Sequence, residues 1–212
     1  MLGSGYVTVS MRIATVVVPV GVYFLILGLL NSRRCPQLLT GRRDFAMLIL
    51  ALCPLFVLPM VEYAGGSGGA AMLACAAVAG AIWALSPRGH RWVIYNLSQE
   101  AAAAVVARAL GCADCRMEAR KGGFRLPSDG AEVDVAGFPL LRNVSIHMRN
   151  ADARLAKRFE EQLARQLATI RAEPSPMAMA MLLVATGMLV APVTMVAQRA
   201  GEIVRILTGM LK

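Results

Sequence analysis

The sequence predicts an α-helical polytopic membrane protein with four transmembrane helices and a small α+β cytoplasmic domain between the third and the fourth. Three observations predict it. Apolar stretches at residues 13–30, 45–61, 70–85 and 177–197 carry no ionisable side chain in their interiors. At about 1.5 Å per helical residue, each spans or nearly spans a hydrocarbon core of about 30 Å. Between the third and fourth stretches, residues 88–173 replace blocks of apolar residues with the short alternations of strands and amphipathic helices. Basic residues crowd the ends of the stretches, as the flanks of membrane spans do.

Composition agrees. Of 212 residues, 57% are hydrophobic and the mean hydropathy is +0.58, above the usual soluble domain. The formal net charge is +9, and all but three of the 22 basic residues are arginine. The abundance of Arg and Ala points to a GC-rich bacterial genome. A basic chain could bind nucleic acid, but a membrane protein collects Arg on its cytoplasmic flanks anyway, and no nucleic-acid partner is expected.

The first stretch follows a tail whose one basic residue is Arg12. It ends in Asn31-Ser32-Arg33-Arg34 rather than a small-residue cleavage site, so it is expected to remain as an anchor. Arg33, Arg34, Arg42 and Arg43 then place the first connection in the cytoplasm and the N-terminus outside. The second stretch contains Pro54 and Pro59, which predict kinks. The loop at 62–69 has no Lys or Arg and fits the outside; the third stretch returns to Arg88, His90 and Arg91. That third stretch is rich in Ala and Gly, whose small faces predict a central, closely packed helix. The region 1–87 is thus expected to hold three spans, and the region 174–212 the fourth plus an amphipathic C-terminal helix, with apolar residues at 203, 206, 207, 210 and 211.

In the insert, residues 92–97 alternate as a strand. Ser98 caps a helix running to residue 110, with Glu100 in its first turn and Gly111 as its stop. Strands follow at 115–120, with Arg116, Glu118 and Arg120 outward and Met117 and Ala119 inward, then at 124–126, 133–135 and 144–148. A last helix over 151–171 carries Leu155, Phe159, Leu163, Leu167 and Ile170 on one stripe. The expected order is β-α-β-β-β-β-α: a mostly antiparallel sheet with two helices over one face. Pro174 and Pro176 make a short, stiff joint to the fourth span.

Little in the chain carries chemistry. Cys112 and Cys115 have the spacing of a zinc or redox pair. No second CxxC accompanies them, and they follow a helix C-terminus, where the dipole does not favour a thiolate. They remain the weak metal or redox candidates. His147, flanked outward by Ser145 and Arg149 and with Glu132 and Asp134 on a nearby strand, has no nucleophile spaced to work with it. Arg116, Arg120, Arg125 and Arg149 on this sheet face are expected to pair across strands with Glu118, Glu132 and Asp134. No Asp, Glu, His, Lys or Arg lies at membrane depth to coordinate a substrate or ion. The expectation is therefore a non-enzymatic protein of the bacterial inner membrane, without cofactor. Its cytoplasmic domain would bind a protein partner or mediate self-association. The alternative is an oligomeric channel or transporter component.

Overall fold

The computed structural model describes residues 2–63, 68–112, 116–198 and 201. They form two compact units. The first, residues 1–26, 47–83 and 181–212, contains most of the apolar helices. The second, residues 27–46 and 84–180, contains the sheet.

Three helices are long and apolar enough to cross a membrane, over Arg12–Ser32, Gly41–Glu62 and Pro176–Thr194. They belong to α1 (Leu2–Ser32), α2 (Gly41–Tyr63) and α6 (Pro176–Ala197). Pro19, Pro54, Pro59 and Pro192 are all accommodated within them. The remaining stretch forms α3 (Gly68–Leu85), whose apolar part, Ala71–Leu85, is shorter than the other three. In the single chain α3 is not the central helix that its composition suggests. Ala74 is buried, but Met72, Leu73, Trp83 and Leu85 are all more than two-thirds exposed. Ala and Gly permit close approach without supplying apolar area to drive it, and the large residues near the helix ends point away. Residues 202–212, the expected amphipathic helix, lie outside the described residues.

The second unit is a two-layer α+β domain whose six strands are all antiparallel. They are β1 (Gln37–Thr40), β2 (His90–Tyr95), β3 (Glu118–Arg120), β4 (Gly123–Leu126), β5 (Ala131–Phe138) and β6 (Asn143–Arg149), in the order β1-β2-β6-β5-β4-β3. From β2 the chain runs through α4 (Gln99–Cys112) to the far edge and returns as a meander. It then adds α5 (Ala153–Ala168). From β2 to α5 the elements follow the predicted order. The unpredicted element is β1, which comes from the basic connection between α1 and α2 and pairs with β2 from Gln37↔Tyr95 to Thr40↔Trp92.

Both helices cover one face. Trp92, Ile94, Val133, Val135, Val144, Ile146 and Met148 on the strands meet Val105, Val106 and Leu110 of α4 and Leu155, Phe159, Leu163 and Leu167 of α5. The α5 residues recur at the helical period, and Phe159 packs edge-on to Trp92 with ring centroids 5.4 Å apart. Asp152 caps α5, its carboxylate accepting the N–H groups of Arg154 and, at 3.1 Å, Leu155. Those bonds hold its pKa below the ordinary Asp value. Edge strand β3 departs from its expected alternation: all three residues are exposed, as is Met117. A three-residue strand at the far edge of the sheet is too short to give one face to the core.

Candidate functional site

Every second residue of the strands points away from the helices, and there the register lines up charged and polar side chains. One row runs Arg91↔His147↔Asp134↔Gly123; the next runs Arg149↔Glu132↔Arg125↔Glu118. Arg120 bonds to Asp134 and lies 3.2 Å from Glu132. The Arg149 guanidinium stands 3.1 Å from the other Asp134 oxygen. Part of the cross-strand pairing expected of this face is present, with Asp134 at its centre; among the described residues Arg125 and Glu118, opposite each other in register, form no ion pair. Arg116 is exposed and takes no part in it.

His147 is half-buried in this network. Its Nδ1 accepts a hydrogen bond from Arg149 Nε at 3.4 Å, which requires that nitrogen to be unprotonated. Burial, then the positive charges of Arg91 and Arg149, push its pKa below the ordinary His value against the opposing pull of Asp134. A neutral imidazole flanked by guanidiniums acts as a spacer in a charged lattice; among the described residues no hydroxyl or thiol is bonded to it.

Of the two thiol candidates, only Cys112 is among the described residues. Cys112 is the last residue of α4, exposed, with Gln166 Nε2 donating to its Sγ at 3.8 Å. Cys115 lies outside the described residues. Among the described residues no three His, Cys, Asp or Glu side chains gather as metal ligands.

Sequence reasoning missed a polar junction where α1, β2 and the stretch before α6 meet within the second unit. Asn31 and Asn96 are both buried there. Asn31 Oδ1 accepts the Asn96 backbone N–H at 3.1 Å, and Asn96 Nδ2 donates to the Arg33 carbonyl at 2.9 Å. The Asn31 carbonyl accepts Ser175 N–H at 3.3 Å, and the Arg34 carbonyl accepts Ala172 N–H at 2.7 Å. Asn96 has φ 62°, a left-handed conformation that Asn tolerates better than most residues. On the sheet face away from the helices, the Tyr95 hydroxyl donates to Asp44 in the first turn of α2. The only visible signal in the sequence was an asparagine closing each of two apolar runs.

Comparisons with protein families, curated proteins and solved structures give no match.

Proposed function

We propose that the chain is a multi-pass protein of the bacterial inner membrane whose α+β domain faces the cytoplasm and docks a protein partner or mediates assembly there. The observation that carries this reading is the pairing of β1 with β2. A hydrogen-bonded sheet cannot straddle hydrocarbon with an open edge, so the connection carrying β1 and the insert carrying β2 share one side. If α2 crosses the bilayer, the chain must cross back before His90, and α3 is the helix that does it despite its short apolar part. Arg33, Arg34, Arg42, Arg43, Arg88 and Arg91 on the shared side favour the cytoplasm.

The docking role is supported by how the domain is held. The β1 pairing, the Asn31–Asn96 bond and the Tyr95–Asp44 bond brace the sheet against the ends of α1 and α2. A charged sheet face of this kind suits a macromolecular partner better than a small ligand. The test is native mass spectrometry of the protein extracted gently from its own membrane with lipid retained. A distinct co-purifying protein, or a defined homo-oligomer, is the expected result; a bare monomer would sink the proposal.

The channel reading rests on a separate observation: α3 exposes Met72, Leu73 and Trp83, and α2 contains Pro54 and Pro59. Substrate-dependent flux through purified, oriented protein in liposomes would favour it, and silence there would count against it.

A further inference from the structure

We propose that Arg42, Arg43, Arg88 and Arg91 form a binding site for the phosphate headgroup of an anionic phospholipid in the same bilayer. This inference rests on the membrane reading above and goes beyond it.

Gly41 packs directly against Arg91 and so brings Arg42 beside it, while Arg43 and Arg88 flank this pair in the sequence. A Cβ on Gly41 would lie 2.9 Å from that of Arg91, so only glycine lets the first turn of α2 sit beside the start of β2. Arg42 and Arg91 line one recess of about 150 Å³, together with Thr40, Gly89, His90 and a single carboxylate, Glu160. Arg42 and Arg43 belong to the first turn of a membrane-length apolar helix, and Arg88 lies three residues beyond the end of α3. That is the level of the lipid headgroups.

The charge state of the cluster argues for a ligand. On the sheet face, Arg120 and Arg149 are satisfied by Glu132 and Asp134. Among the described residues none of the four cluster guanidiniums forms an ion pair, and all four are exposed. Asp44, the residue after Arg43, is already engaged by Tyr95. Unpaired guanidiniums have the planar fork that grips phosphate oxygens in pairs. The headgroups of an acidic leaflet are the anions held at that depth.

The full chain in detergent is equilibrated with equal amounts of phosphatidylglycerol and phosphatidylcholine of matched chains, and retained lipid is counted by native mass spectrometry. Phosphatidylglycerol is expected to be retained preferentially. The Arg42→Gln/Arg91→Gln variant, which leaves Arg33 and Arg34 to hold topology, should lose that preference by about fivefold for each charge removed. A thermal melt reports whether the variant folds; if it does not, the wild-type competition decides alone. Equal retention of the two lipids overturns the site, and so does an unchanged preference in a folded variant. Displacement of the lipid by millimolar inorganic phosphate overturns it in favour of a soluble anion. Carbonate extraction of native membranes separates the two levels. A chain that stays in the membrane but shows no lipid preference sinks only the site; a chain released to the supernatant sinks the membrane reading as well.

Discussion

Asn31, at the end of α1, accepts the backbone N–H of Asn96 through its side-chain carbonyl at 3.1 Å, while its own amide donates to the Leu27 carbonyl at 3.0 Å. One buried side chain therefore ties the last turn of an apolar helix to a strand end 65 residues away. Neither group has water to fall back on, since Asn31 and Asn96 are almost wholly inaccessible. Replacing Asn31 by Leu keeps the branched shape of the side chain and strands the Asn96 N–H, at a cost of about 1–3 kcal/mol. Thermal unfolding of the purified variant in detergent should show the loss; an unchanged midpoint would mean the junction contributes nothing.

Gly123 makes a different kind of demand. A Cβ there would overlap the carbonyl oxygen of Val133 on the paired strand. Gly123→Ala must therefore push β4 away from β5, and a destabilisation above about 2 kcal/mol is expected, in the range of overpacked sites. Gly130, in the turn between β4 and β5, has open space around its Cα but φ 65°. Its replacement by Asn should be far milder. Chemical denaturation of the two variants should rank them in that order.

The pH dependence of stability should carry the signature of His147. Its folded pKa lies below the ordinary value because of burial and then of Arg91 and Arg149, so below about pH 6.5 the unfolded chain binds the extra proton more readily. Stability from this group is complete above that pH and is lost as pH falls through the lowered folded pKa. His147→Gln should flatten the stability profile on the acid side of about pH 6.5 while leaving the neutral plateau near its wild-type level. Profiles of equal slope in the two proteins would show that the imidazole does not titrate as its surroundings require.

Cys112→Ser with Cys115→Ser should leave stability, assembly and growth phenotype unchanged, because Cys112 is exposed at a helix C-terminus and, among the described residues, only Gln166 is bonded to its sulfur. Zinc retained stoichiometrically by the wild type and absent from the double variant would reverse that expectation.

The parts of the fold that were legible in the sequence are those whose signal is periodic. The stripe of Leu155, Phe159, Leu163 and Leu167 and the alternation of Val144, Ile146 and Met148 announce the faces they bury. So do the long apolar runs. What escaped is aperiodic. Four residues, Gln37–Thr40, are too few to display an alternation, and Leu38 turns inward only because Ile94 lies opposite. The charged face was readable as a set of residues, but the central position of Asp134 depends on register, which no local pattern fixes. Asn31 and Asn96 looked like ordinary ends of apolar segments; their pairing is a fact of topology. The exposure of α3 was misjudged because small residues signal permission for close packing rather than the area that drives it.

The position of β1 also determines what can be cut from this protein. A fragment trimmed at residues 88–173, the boundary that composition suggests, would lose the outermost strand and leave β2 with a row of bare N–H and C=O groups along Trp92–Tyr95. Such an edge recruits another strand, and the nearest supply is a second copy of the fragment. A dimer or aggregate obtained from that fragment would report the missing Gln37–Thr40 and not the assembly state of the intact chain.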